Sequence, residues 1–129
     1  MHTAFRNVAA FHKACDVPVR DEPSFPDDSR VDLRINLIEE EVVKELFPAI
    51  QARDMLKTAD GIADAIYVLI GAALEFGIPL PQVWEMVHGA NMKKVDPFTG
   101  KVTRRADGKI LKPAGWVSPE SDIERLLGI

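Results

Sequence analysis

The stretch DMLKTADGIADAIYVLIGAALEFG, Asp54 to Gly77, decides the fold. Its apolar residues Leu56, Ala59, Ile62, Ala63, Ile66, Leu69, Ile70, Ala73 and Leu74 recur at three- and four-residue steps, the period of an α-helix with one face turned to a core. Asp54 can cap the first turn through its side-chain oxygen, and Gly77 can end the last one. Working outward, IPLPQ places Pro81 in the first turn of a further helix carrying Val83, Trp84, Met86, Val87 and Ala90 up to about Lys93. Upstream, a helix is expected from about Val31 towards Pro48, capped by Ser29 or Asp28 and stopped by Pro48, which cannot donate to the Lys44 carbonyl. Met1 to Ala14 has the spacing of an amphipathic helix and stops before the proline-rich linker DVPVRDEPSFPDD.

The expected class is therefore all-α: a four-helix core with a short C-terminal hairpin or loop tail, assembled as an oligomer. The connections are short, so neighbouring helices should be antiparallel. In the tail, Asp107-Gly108 has the chemistry of a hairpin or tight loop, and Ser121 can cap a last helical turn that Ile123, Leu126 and Leu127 dock. At 129 residues, residues 1–129 are expected to form a single domain. The composition, 47% hydrophobic and 28% charged, is that of a globular chain and not of a disordered one. The single cysteine, Cys15, has no internal partner for a disulfide. The start is too polar for a signal peptide, and no apolar run reaches the roughly 18 to 20 residues of a membrane helix, so a cytoplasmic location without membrane contact is expected.

The net charge of −4 is unevenly spread. Asn91 to Lys112 holds seven basic residues against two acids, a balance of +5 that leaves −9 for the rest. An acidic body with a basic tail suits a site that holds a metal cation with carboxylates and grips a polyanion with the tail; a solvated basic tail satisfies the same numbers. A nucleic-acid partner is not expected, given the acidic body and the single tyrosine.

The acids are organised as well. In LIEEEVVKEL, Leu37 to Leu46, an α-helical projection puts Ile35, Ile38, Val42, Leu46 and Ala49 on the core face, with Glu41 and Glu45 together on its shoulder. Glu40 and Lys44 fall opposite and are spaced for an i,i+4 ion pair. The next helix repeats the device with Asp60 and Asp64. Four carboxylates facing each other across two helices repel unless a cation neutralises them, and hard oxygen ligands select Mg²⁺ or Mn²⁺. Either pair alone is compatible with a solvated face.

ADGIADAIYVLIGAALEFGIPLPQVWEMVHGANMKKVDP, followed by RRADGKILKPAGW, resembles the MazG-like, or phosphoribosyl-ATP-pyrophosphohydrolase-like, superfamily of all-α nucleoside triphosphate pyrophosphohydrolases. The likeness runs from about Phe11 to the last helix, and its tail is most similar to the branch with dimeric dUTPase-like members. It implies a homodimer or homotetramer, a (d)NTP substrate cleaved between the α and β phosphates, and two or three Mg²⁺ or Mn²⁺ ions per site. The implied metal ligands follow E-E-x-x-E on one helix and E-x-x-D on the next; Glu40, Glu41 and Asp64 match. Lys44 and Gly61 stand where glutamates are expected, with Glu45 and Asp60 one residue away.

The expected metal set is therefore Glu41, Glu45, Asp60 and Asp64, with Glu40 and Glu41 as catalytic candidates. Asn91, Lys94, Arg104, Arg105, Lys109 and Lys112 are the substrate-binding candidates. Trp84 is expected in the core and Trp116 as an anchor of the tail. Two alternatives remain open: a non-catalytic helical interaction module with a degenerate metal site, and a phosphoribosyl-ATP pyrophosphohydrolase.

Overall fold

The computed structural model describes all residues, Met1–Ile129, and is all-helical. The helices are α1 (His2–Ala14), α2 (Asp28–Ile38), a π-helical segment (Glu39–Leu46), α3 (Phe47–Gln51), α4 (Met55–Glu75), α5 (Leu80–Met92) and α6 (Glu120–Leu127). No single helix is long and apolar enough to cross a membrane. The chain divides into two compact units, Met1–Leu80 and Pro81–Ile129.

In the first unit, Val8, Ile70 and Leu74 form the buried centre, with Ala4, Phe5, Ala9, Val19 and Leu80 packed on it. Asp54 caps α4 as expected, accepting from the Lys57 amide at 3.0 Å. Gly77 follows α4 with φ +70. A side chain there would strike the Glu22 carbonyl, because the proline-rich linker is strapped across this helix end. Arg20 N donates to Leu74 O and Ser24 N to Phe76 O, both at 2.9 Å, so the linker satisfies carbonyls that a helix end leaves free.

Several expectations are corrected. The cap of α2 is Asp27, not Ser29 or Asp28: its Oδ1 accepts from the Arg30 amide at 3.0 Å while the Ser29 hydroxyl donates to the same oxygen at 2.7 Å. Helix also does not stop at Pro48. The chain widens into the π segment, where Phe47 N bonds to Val42 O, five residues back, and then resumes as α3. At that junction Pro48 is a first-turn residue, a position where a missing donor costs little. Of the apolar stripe on α4 only Ile70, Ala73 and Leu74 are buried; Leu56 is largely exposed, and Ile62, Ile66 and Leu69 are 46%, 47% and 48% exposed. Ile35 of α2 is also exposed, because helical periodicity identifies an apolar face but not what covers it.

The second unit carries α5, a looped tail and α6. The turn at Asp107-Gly108 is present: Gly108 has φ +89, and Arg105 N donates to Lys109 O at 2.8 Å. Only isolated antiparallel bridges, Val95 with Val102 and Arg104 with Ile110, flank it, so it is a tight loop and not a regular hairpin. Ser121 lies inside α6 and does not cap it; Ser118 Oγ accepts from the Glu120 amide at 3.3 Å instead. Trp84 is 52% exposed and not core, whereas Trp116 does anchor the tail, donating from Nε1 to Ala90 O at 2.7 Å.

Candidate metal centre

The π segment and α4 pack against each other, and their contact builds the acidic site. Carboxylate oxygens of Glu41, Glu45 and Asp64 all lie within 4.8 Å of one another. Asp60 stands outside this group and lines the adjoining cleft, about 540 Å³, with Glu45, Asp64, Lys44 and Lys57. Three of the four expected metal ligands are thus brought together. Glu40 is exposed beside them.

Helices with i→i+5 hydrogen bonds are rare, occur mostly as single-turn bulges, and concentrate at functional sites. This one spans eight residues and contains both Glu41 and Glu45. Its wider turn redirects side chains relative to an α-helical projection. Lys44 accordingly meets Glu39, five residues back, with Nζ 4.0 Å from Oε1, and not Glu40 as expected. Gly61 has a packing reason: a Cβ at that position would lie 3.2 Å from Leu46 Cδ1 and 3.5 Å from Leu46 Cα. A side chain there would need the Leu46 side chain to give by a few tenths of an ångström, and its absence lets α4 approach the π segment closely.

The site's electrostatics are uncompensated. Glu41 is half-buried, and its Oε2 is inaccessible to solvent without a hydrogen-bond partner. Its carboxyl is held above the usual range by burial, then by its contact with and charge repulsion from Glu45, and by the charges of Asp64 and Glu40. A buried acceptor without a donor, set among carboxylates, has the chemistry of a site for a hard divalent cation, which would supply the partner that Glu41 Oε2 lacks. Lys57, which borders the cleft one turn before Asp60, was not among the expected site residues; its spacing of three from Asp60 was the available signal.

A second polar cluster in the same unit was also missed. Glu75, with 0% exposure, receives Arg34 Nε at 2.6 Å, Arg30 Nη2 at 3.0 Å and a short contact from Arg30 Nε. Arg34 Nη2 lies 3.5 Å from His12 Nε2, and His12 Nδ1 lies 3.3 Å from Pro18 O. Gly71 makes room for this, since a Cβ there would come within 2.6 Å of Arg34 Nη1. The cluster ties α1, α2 and α4 together, and both Glu75 oxygens are paired with guanidinium groups.

In the second unit, Asn91, Lys94 and Lys112 gather around Trp116. Lys94 Nζ donates to Asn91 Oδ1 at 3.1 Å, and the Lys94 and Lys112 ammonium groups lie 5.0 and 4.8 Å from the indole centroid. Arg104, Arg105 and Lys109 belong to the turn: Arg104 Nη1 donates to Gly108 O at 2.8 Å, Arg105 pairs with Asp107, and Lys109 N donates to Asp107 Oδ1 at 3.1 Å.

A solved structure described as a "putative NTP pyrophosphohydrolase", from Exiguobacterium sp. 255-15, is similar at 26% identity and a TM-score of 0.49, over 95% of this chain and 92% of that one. A search of curated proteins finds no match. Residues 8–91, well over half of the chain and including the second half of α1, both acidic helices and most of α5, match the family described as phosphoribosyl-ATP pyrophosphohydrolase. The chain therefore belongs to the phosphoribosyl-ATP pyrophosphohydrolase family, hydrolases that act on nucleotides.

Proposed function

We propose that the chain is a Mg²⁺- or Mn²⁺-dependent pyrophosphohydrolase that cleaves a (d)NTP between the α and β phosphates, releasing (d)NMP and pyrophosphate. The observation that carries this reading is the group of Glu41, Glu45 and Asp64 within 4.8 Å, with Glu41 Oε2 buried and unpartnered. A bound divalent cation would neutralise these carboxylates, polarise phosphate oxygens and acidify a water molecule. The protein's own part is to hold the three ligands on two packed helices, so that little rearrangement is needed on binding. Glu40, exposed and adjacent in sequence to Glu41, is the candidate to take a proton from the attacking water. Asn91, Lys94 and Lys112 are assigned to substrate phosphates, with Arg104, Arg105 and Lys109 in the loop that shapes the tail.

The partly exposed apolar stripe Ile62, Ile66 and Leu69 on α4 supports assembly as a homodimer or homotetramer, since an apolar helix face of this kind is commonly covered by a partner. A second reading, hydrolysis of phosphoribosyl-ATP itself, is favoured by the description of the matched family.

The test is to incubate the protein with each dNTP, each NTP and phosphoribosyl-ATP, with Mg²⁺ or Mn²⁺, and to resolve the products. Monophosphate plus pyrophosphate from a (d)NTP supports the proposal. Turnover of phosphoribosyl-ATP alone establishes the second reading, and no turnover of any substrate leaves a helical interaction module.

A further inference from the structure

Two cations held about 4 Å apart need a carboxylate that both share and further ligands on the outer side of each. The π segment and α4 supply a smaller set. Glu41, Glu45 and Asp64 bring carboxylate oxygens within 4.8 Å of one another, and no fourth carboxylate joins them. Asp60 lines the adjoining cleft outside that group, and Glu40, although next to Glu41 in the chain, is exposed and outside it as well.

The two positions where the acidic pattern breaks account for the shortfall. Lys44 borders the cleft with an ammonium group where a carboxylate would have been a further ligand, and its partner is Glu39 at 4.0 Å, not a member of the acidic group. Gly61 brings no side chain to the same cleft, and the space a Cβ would take is bounded by Leu46 Cδ1 at 3.2 Å, so packing stands there in place of a ligand. Charge points the same way. One divalent cation leaves the ionised carboxylates of Glu41, Glu45 and Asp64 with a single negative charge. A second would make the group positive, in a cleft that Lys44 and Lys57 already border.

We propose that the chain's own side chains hold one divalent cation per site, ligated by Glu41, Glu45 and Asp64, and not the two or three that the resemblance implies. Asp60 and Glu40 are not ligands of that ion, which leaves the Glu40 carboxylate free for the attacking water. The proposal deepens the pyrophosphohydrolase reading and rests on it for the nature of the cation.

The experiment treats the full chain with chelator, dialyses it, and titrates it with Mn²⁺ alone, counting bound ions by the loss of the free Mn²⁺ signal in electron paramagnetic resonance. One tightly bound ion per chain is expected, with the spectrum of an isolated Mn²⁺ and no spin coupling to a neighbour. Glu45→Gln and Asp64→Asn should each weaken its binding by at least about tenfold, the loss that even outer-shell partners of a metal cause. Asp60→Asn and Glu40→Gln should change the affinity by less than about threefold, and Glu40→Gln should lose turnover while keeping the ion. The proposal is overturned by two or more tight ions per chain, by a spin-coupled pair, by no tight ion at all, or by an Asp60→Asn variant as impaired in binding as Asp64→Asn. A coupled pair in a protein that turns over a (d)NTP would overturn the count and leave the pyrophosphohydrolase reading standing. One tight ion on these three ligands without turnover of any nucleotide would do the opposite.

Discussion

The first unit contains two clusters of charged side chains built where α4 packs on the α2–π helix, and they differ in one respect. At Glu75 the carboxylate is met by two guanidinium groups, with His12 completing the set. At Glu41 the carboxylate is met by two more carboxylates. The first cluster is complete with the chain's own atoms, so it fixes structure. The second is complete only with something the chain does not contain, and that is what separates a ligand site from a clamp on the same pair of helices.

The comparison is broken most severely at Glu75. Glu75→Gln removes the charge that both arginines face and leaves Arg34 buried without its partner. Breaking a buried pair from one side typically costs about 3–5 kcal/mol, so chemical denaturation should show a loss on that scale. A loss below about 1 kcal/mol would mean that the cluster is better hydrated than its burial indicates. Asp64→Asn should do the reverse: it removes repulsion, so the metal-free protein should be no less stable than the parent. Activity should nevertheless fall by about 10²–10³-fold, since the variant loses a cation ligand. Undiminished turnover would remove Asp64 from the site. In the parent, Mn²⁺ at about a hundred times its dissociation constant should add about 2.7 kcal/mol of stability, and Asp64→Asn should lose most of that gain.

How much of this difference was legible in the sequence follows from how far apart the partners lie. Asp54 and Asp107-Gly108 act within a few residues of themselves, as does Gly77 in ending α4, and those roles were readable; the approach of Glu22 to Gly77 was not. The carboxylates Glu41, Glu45 and Asp64 were readable as a shared face, because each helix carries its own acidic pair. The π segment was not readable: eight residues cover too few turns for an apolar pattern to distinguish i→i+4 from i→i+5 bonding, and Lys44 was therefore assigned to Glu40. The Glu75 cluster was invisible for another reason. Its arginines lie 41 and 45 residues away, and a lone glutamate near the end of VLIGAALEFG signals only that some partner must exist.

The two clusters should also answer pH in opposite directions. Burial lowers the His12 pKa below its ordinary 6.5, with Arg34 adding to the effect against the Pro18 carbonyl bond. A depressed folded-state value means that the stability His12 contributes is present above pH 6.5 and is lost as pH falls through the folded value. Burial also pushes Glu75 upward, but its bonds from Arg30 and Arg34 outweigh this and lower it, so its contribution is lost only at pH below the ordinary 4.5. Glu41 is raised above 4.5, so its contribution is present at acid pH and is lost as pH rises through the folded value, unless a divalent cation is supplied. Stability measured against pH in chelator should therefore flatten in His12→Gln only below 6.5, and in Glu41→Gln only above 4.5. The slope removed in either window is at most about 1.4 kcal/mol per pH unit. The same slope change in both variants would show that the clusters titrate as one.

The smallest effect is expected at Lys44, the residue that interrupts the acidic run. Its ammonium group lies 4.0 Å from Glu39, with the two side chains 67% and 52% exposed, so the pair is worth at most a few tenths of a kcal/mol. Lys44→Ala should therefore move stability by less than about 0.5 kcal/mol. Its kinetic effect is more informative, because Lys44 also borders the cleft beside Glu45 and Asp64. If the lysine only balances Glu39, kcat/KM should change less than about threefold, and adding 0.5 M salt should leave the ratio of variant to parent unaltered. A larger fall that comes mainly from a raised KM would place its ammonium group on the bound phosphates. The charge that breaks the acidic pattern would then serve the same site as the carboxylates around it, as the counter-charge missing from their side of the comparison.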